Sequence, residues 1–385
     1  MSPRRNSHGQ QGDRARSSAA RGGSVLLVLS VACLVVTVAC MVARLVPDSF
    51  DYFAPIPQLA ALAGVSIPIG ITGAVLAFVG RRPALGMATV ALVLVSAACS
   101  IFFQSQAGLF RSADALVSPS GSVVSRSGQQ SLSSNQGNGS DARFDALDDA
   151  GAWEAGASGT LSVMTLNTHV GQADAQGVVS LVREFDVQVL CLQEMTEAEE
   201  RALVDAGLAD ALPYRVGSAP GDQVWSAYPL VDATEDAVGY SGSSMAAGTV
   251  SLDGVPLRFV SVHTCSPSPG YEAFWNESLA DLVDVKLSDT GVRERVSYVL
   301  AGDFNATTDN ASLRGVIQAL DMHDAAVSLG SSYRGTWPAV AGSFGLVAID
   351  HVLMQPGVRA EGVRYASVEG SDHLAMVVDL SVAGS

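Results

Sequence analysis

The chain changes texture twice. Apolar residues run almost unbroken over 24–46, 56–80 and 84–104; residues 105–158 are rich in Ser, Gly, Ala, Asn and Gln; from about Ser158 short apolar segments alternate with polar ones. Each of the three long runs reaches the ~20 residues that cross a bilayer. The Pro and Gly inside the second are tolerated where neighbouring helices satisfy the backbone. A cleaved signal peptide would be shorter than the first run, and two more runs follow it. Three transmembrane helices are therefore predicted over 24–104, behind a basic tail, 1–23, that holds Arg4, Arg5, Arg14, Arg16 and Arg21 against Asp13. That tail and the Arg81–Arg82 loop belong in the cytoplasm, because positive loops stay inside. The loop 47–55 carries Asp48 and Asp51 and no base, which suits the outside. Three crossings then place everything after Gln104 outside the cell. No charge is expected inside the spans, so they offer no ion or solute pathway. The polar stretch 105–158 reads as a flexible linker, holding the next domain on the order of 40 Å from the membrane at ~5–6 Å × √n.

Over 159–385 the pattern predicts strands and helices in alternation. "TLSVMTLN" is a buried strand, "AQGVVSLVREF" a helix with Val178, Val179, Leu181 and Val182 forming an apolar stripe, "DVQVLCLQEM" a second strand, and "EAEERALVDAG" a helix stopped at Gly207. "MAAGTVSL", "VPLRFVSVHT", "SYVLAGDFN", "GLVAIDHVLM", "VRAEGVRYASV" and "HLAMVVDLSV" supply further strands, with a long helix at "YEAFWNESLADLVDVKL" and a short one after "GDFN". Many strands with few helices predict two sheets packed face to face with helices outside.

Charge narrows the choice of partner. From residue 105 onward 35 Asp and Glu face 14 Lys and Arg. Long nucleic acid is held by Lys and Arg neutralising phosphates, so a basic groove would have to be local. A small substrate or a divalent cation fits the acidic body better. Cys33, Cys40 and Cys99 lie in the apolar runs; Cys191 and Cys265 allow one bridge at most. Four Asn-x-Ser/Thr sequons occur, at Asn138, Asn276, Asn305 and Asn310, and a single Lys stands against 21 Arg, a composition that suits a GC-rich bacterial genome.

The chemistry sits where the predicted strands end. Buried strands do not ordinarily finish on acids, because an isolated carboxylate there is costly to desolvate. Yet "TLNTH" ends on Asn167 and His169, "LCLQE" on Glu194 and "FVSVHT" on His263. "LAGDFN" ends on Asp303 and Asn305, "VAIDH" on Asp350 and His351, and "GSDH" on Asp372 and His373. Singly, Glu194 reads equally well as a helix-start acid, Asn167 as a turn residue and His263 as a core histidine. Together, six such ends on one rim would form a cleft of carboxylates, amides and imidazoles.

In content and order the set N…QE…H…GDFN…DH…SDH resembles the endonuclease/exonuclease/phosphatase superfamily, across about residues 160–383. The resemblance implies a four-layer α/β sandwich, two packed mixed β-sheets flanked by helices, here preceded by three transmembrane helices. It implies phosphoester hydrolysis with Mg2+ or Mn2+, by in-line attack of water. Glu194 looks like the principal metal ligand, with Asp372 completing the metal shell or supporting His373. Asn167 and Asn305 would bind substrate through phosphoryl oxygens or metal-bound water. Asp303, His373, Asp350 and His263 would be catalytic. Asp303 would orient or deprotonate the water, Asp350 would hold the tautomer of His373, and His263 would stand near the leaving oxygen. His373 is either base or stabiliser of the phosphoryl charge. His169 stands where some members carry a second acid, so a two-acid first motif is absent. His351 points away from the site by strand alternation, and Trp337 is a candidate cleft wall.

The expected activity is that of a membrane-anchored, extracytoplasmic phosphoesterase acting on a small ester, a lipid head group or nucleic acid, with no obligate protein partner. An extracellular DNA endonuclease is one alternative, drawing on Arg215, Arg293, Arg295, Arg334 and Arg364. A non-catalytic surface scaffold on a degenerate hydrolase fold is the other.

Overall fold

The computed structural model describes residues 7–104, 159–238, 243–288, 296–340 and 344–382. The predicted linker, 105–158, lies outside them, as do Asn138, Arg293 and Arg295. The N-terminal part consists of α1 (Ser7–Leu45), a short 3-10 turn at Asp48–Phe50, α2 (Ile56–Ala61), α3 (Ala63–Val79) and α4 (Pro83–Gln104). The described part of the predicted basic tail is thus the first turns of α1.

Among the described residues two helices, not three, are long and apolar enough to cross a membrane: Gly22–Leu45 within α1, and α4. The predicted middle span is divided. Leu62, with φ −82° and ψ 4°, closes α2, and Pro68 inside α3 has no N–H to bond the preceding turn. The 17 residues of α3 reach only ~26 Å at ~1.5 Å per residue, short of a ~30 Å hydrocarbon core. The expectation of uncharged spans is also corrected. Arg44, near the end of α1, is fully buried, bonds the Ser96 carbonyl at 2.9 Å and lies 2.9 Å from Asp309.

The rest is a sandwich. Its strands are β1 (Leu161–Asn167), β2 (Val189–Met195), β3 (Tyr214–Val216), β4 (Gly221–Ser226), β5 (Val231–Val238), β6 (Ser243–Leu252), β7 (Val255–His263) and β8 (Ser297–Asp303). They continue with β9 (His323–Asp324), β10 (Gly335–Val340), β11 (Phe344–Gly345), β12 (Asp350–Met354), β13 (Val358–Ser367) and β14 (Leu374–Val382). One mixed sheet runs β13-β14-β1-β2-β4-β3 and the other β5-β6-β7-β8-β12-β9, with β10-β11 a separate hairpin. Between the sheets pack Leu161, Val163, Val189, Val250, Phe259, Val299 and Met376. The helices are α5 (Ala175–Glu184), α6 (Glu197–Asp205), α7 (Leu208–Ala211), α8 (Glu272–Ser288), α9 (Ala311–Ala319) and α10 (Ala325–Ser328).

Val178, Val182, Leu203 and Leu208 cover the outer face of the first sheet; Trp275, Leu279, Leu313 and Ile317 cover the second. That gives the four layers predicted. Each buried aliphatic side chain contributes about 1.5–3 kcal/mol, so these three apolar interfaces hold the strand ends in register. Cys191 and Cys265 are both free.

The sandwich does not stand off from the helices as the linker's length suggested. Asn310 donates to the Pro57 carbonyl at 3.0 Å and Ser312 to Asp51 at 2.7 Å.

Candidate active site

The site forms where the two sheets bring their strand ends together. In the second sheet β7 and β8 are parallel and place His263 beside Asp303, while antiparallel β12 places Asp350 on the other side of Asp303. Gly302 makes this approach possible: a Cβ there would lie 1.9 Å from the Val262 carbonyl oxygen. In the first sheet β1 and β2 are parallel, with Asn167 beside Gln193. A bulge between Leu192 and Met195 turns Glu194 to φ 58° and aims its carboxylate into the cleft rather than along the pleat. His373 enters immediately before β14.

Asp303 is the hub, 2% exposed. Its Oδ2 accepts from Asn167 at 3.1 Å and from the Asn305 amide at 3.3 Å, and lies 4.0 Å from His263 Nε2 and 3.7 Å from His373 Nε2. Its Oδ1 accepts the Asn305 backbone N–H at 2.8 Å. Asn167 donates also to Glu194 Oε1 at 3.0 Å, so one amide ties the two carboxylates. Glu194 Oε2 accepts the Val170 N–H at 2.8 Å, and His263 Nε2 stands 3.5 Å from Oε1.

Behind the hub, Asp350 meets His373 Nδ1 at 2.9 Å. Burial alone would pull the His373 pKa down; the Asp350, Asp303 and Asp372 carboxylates outweigh it, and the pKa is pushed up to about 10. Asp303 moves upward too, chiefly through burial, with Asp350 adding to it.

The structure brings together Asn167, Glu194, His263, Asp303, Asp350 and His373. Asn305 is in the cleft, yet its side chain turns inward, donating to the Thr264 carbonyl at 2.9 Å and to Asp303. Asp372 sits at the edge: Trp337 Nε1 donates to it at 2.9 Å, and it lies 3.9 Å from His373 Nε2 and 3.7 Å from His169 Nδ1. The Trp337 ring is centred 6.5 Å from that of His373 and walls the cleft. As a donor set for a metal, Asp303, Asp350 and His373 offer atoms all within 4.8 Å of one another.

Sequence reasoning missed Asp222. It is 2% exposed, lies 3.8 Å from His263 Nδ1, and its Oδ2 has no partner among the described residues. Burial pushes its pKa up to about 7 even though His263 opposes the shift. The signal available in the sequence is "GDQVW", an acid leading a short apolar run that forms β4.

His351 points to the opposite face, as alternation required: its Nδ1 meets Asp324 at 2.6 Å and its Nε2 the Ala306 carbonyl at 2.9 Å. Both ring nitrogens face acceptors, which favours the imidazolium. Burial lowers its pKa but Asp324 outweighs that, and the net shift is upward from the ordinary 6.5. A raised folded-state pKa gives stability that is complete below about pH 6.5 and fades as pH rises through the higher folded value. The melting temperature of the wild type should therefore exceed that of His351→Gln by most at about pH 6, and the gap should narrow toward pH 9. Parallel melting curves would refute the pairing.

Two packed mixed sheets with carboxylates, amides and imidazoles gathered at their strand ends define a class of α/β-sandwich hydrolases. The chain belongs to the Endonuclease/Exonuclease/phosphatase family, whose model matches residues 164–373. Among solved structures it is similar to humanized D. rerio TDP2, with 17% identity over 58% of this chain and 99% of that one, at a TM-score of 0.49. It is similar also to sphingomyelinase C from Streptomyces griseocarneus, with 18% identity over 57% and 99% and a TM-score of 0.44. An endonuclease/exonuclease/phosphatase from Beutenbergia cavernae shares 20% identity over 58% and 72%, with a TM-score of 0.46. No curated protein matches the chain.

Proposed function

We propose that the chain is a membrane-anchored phosphoesterase that hydrolyses phosphodiester bonds outside the cytoplasm with Mg2+ or Mn2+. The observation that carries this reading is the Asp303 carboxylate, reached from four sides by Asn167, Asn305, His263 and His373. That arrangement offers one acceptor for a water proton, fixed by two amides, with the imidazoles of His263 and His373 beside it as N–H donors for phosphoryl oxygens.

The residues fit a divalent cation. Glu194, Asp222, Asp303 and Asp350 converge, and the upward shifts of Asp222 and Asp303 record the cost of burying their charges. Hard cations prefer carboxylate oxygen and would relieve that cost. Glu194 would hold the cation, with Asp372 at the edge. When bound, it would supply positive charge to the phosphate and polarise the phosphorus.

Asp303 accepts the proton of the attacking water through Oδ2, which faces His263 and His373. His373, kept protonated through Asp350, presents Nε2–H to a phosphoryl oxygen. Asn167 fixes the spacing of Glu194 and Asp303, and Asn305 fixes Asp303. Asp222 orients His263 toward the leaving oxygen.

A long nucleic-acid substrate is disfavoured by the arginines. Arg215 pairs with Glu200, Arg364 bonds Asp379 at 2.7 Å, and Arg334 stacks 5.1 Å from the Tyr365 ring. The topology is supported by the helices. Val25, Val28, Val35, Leu94 and Phe102 expose apolar surface, as lipid-facing helices do. The sandwich meets the end of the bundle that carries Asp51, not the end with Arg81 and Arg82.

The test is full-length protein in detergent with bis(p-nitrophenyl) phosphate. Hydrolysis that requires Mg2+ or Mn2+ is expected; a folded protein with no turnover under either metal would sink the reading.

A further inference from the structure

The two loops that leave the hub strands β7 and β8 on the cleft rim are the loops that dock on the helical bundle. After β7, the Pro267 carbonyl accepts from Gln58 Nε2, and Glu272 Oε1 accepts from the same amide at 3.1 Å. After β8, Asp309 lies 2.9 Å from Arg44, Asn310 donates to the Pro57 carbonyl, and Ser312 donates twice to Asp51, from N at 3.1 Å and from Oγ at 2.7 Å. Arg314 closes the patch, donating to the Arg44 carbonyl at 3.3 Å and lying over the Phe103 ring at 4.1 Å. Arg44, Asp51 and Asn310 are each 1% exposed or less, so this is a built interface and not a grazing contact.

Its position fixes where the cleft lies. Asn305 is five residues from Asn310 and Thr264 is three from Pro267, so chain reach puts the hub within ~10–18 Å of the segment 51–58. That segment caps the apolar helices and, with Phe50 (47%) just before it, exposes Tyr52 (43%) and Phe53 (60%). Aromatic side chains at the ends of apolar helices mark the level of the lipid head groups. Tyr271 and Trp337, both exposed, add aromatic surface to the same rim as the cleft.

We infer that the substrate is a phosphodiester carried in the membrane that anchors the protein, a glycerophospholipid head group presented to the cleft by the docked bundle. This rests on the phosphoesterase reading and narrows its substrate. Water's oxygen joins phosphorus and one P–O ester bond breaks. One water proton ends on the departing alcohol, and the phosphomonoester releases the other. Docking confines enzyme and lipid to one surface and so raises the effective concentration of the lipid over any soluble ester.

The test uses the full chain reconstituted into vesicles of equal parts phosphatidylcholine and phosphatidylglycerol, with Mg2+ or Mn2+. Release of water-soluble head group from the enzyme's own vesicles is expected to run at least ~10-fold faster than from enzyme-free vesicles of the same lipids added to the mixture. Asp51→Ala combined with Gln58→Ala should slow lipid cleavage about 10-fold, the equivalent of ~1.4 kcal/mol. Hydrolysis of bis(p-nitrophenyl) phosphate by that variant should stay within about twofold of wild type, well inside that factor of ten. Cleavage of the soluble ester with the vesicle lipid untouched would overturn the inference and leave the phosphoesterase reading standing. Lipid cleavage unaffected by the double variant would overturn the part given to the bundle. Hydrolysis of neither substrate would end both readings.

Discussion

His373→Gln is expected to lower kcat for metal-supported hydrolysis of bis(p-nitrophenyl) phosphate by ~10²–10⁴-fold, the usual contribution of a positioned proton donor or acceptor. Glutamine is the informative replacement. Its amide can still donate to Asp350, so the buried carboxylate keeps a partner and the fold is retained; alanine would strand that charge, which costs about 3–5 kcal/mol. What glutamine cannot carry is the ring's positive charge beside Asp303. Asp350→Asn should reproduce much of the loss, because an amide facing Nδ1 no longer favours the imidazolium that the carboxylate sustains. The measurement is kcat and KM for both variants at saturating metal, beside their melting curves. A KM effect with kcat preserved would reduce His373 to a binding group, and full activity would remove it from the mechanism.

That much of the site was legible in the sequence follows from how it is built. Asn167, His263 and Asp303 are last residues of long, apolar strands, and Asp350 is the first residue of β12; strands of that kind announce themselves by composition. A polar residue at such an end is conspicuous. Asp222 stayed hidden because its strand lies among β3 and β5, whose Arg215, Asp232, Glu235 and Asp236 mask any apolar period. The inward turn of Asn305 was not legible either, since it depends on φ 48° at that residue and on the Thr264 carbonyl just past the end of β7. Hydropathy misjudged the membrane part for a related reason. An average over 56–80 cannot register a break at Leu62 or a proline at 68. Nor does it show that Arg44, at the end of an apolar run, finds Asp309 more than 260 residues later. Local pattern reported the elements; the partners that give polar residues their roles came from packing.

Stripping divalent cations with a chelator is expected to abolish hydrolysis, and Glu194→Gln to raise the Mn2+ concentration needed for half-maximal activity by at least the ~10–100-fold that loss of an outer-shell metal partner costs. Glutamine keeps one oxygen, which can still accept the Val170 N–H at the bulge, while its NH2 replaces the oxygen that accepted from Asn167. The charge and one oxygen are removed, and a hard cation depends on both. Asp303→Asn makes the control. If Asp303 accepts the water's proton, its variant should stay slow at any metal concentration, whereas Glu194→Gln should recover as Mn2+ is added. Direct Mn2+ binding, read by calorimetry, keeps affinity separate from turnover. The competing donor set, Asp303, Asp350 and His373, makes the opposite forecast: unchanged affinity in Glu194→Gln and weakened affinity in His373→Gln. Two features favour Glu194. The Asp350 carboxylate of the competing set is engaged by His373 Nδ1 at 2.9 Å and only 3% exposed, which shuts it off from an incoming phosphate. The Glu194 carboxylate is 27% exposed, open to the cleft where a phosphate would complete the coordination shell.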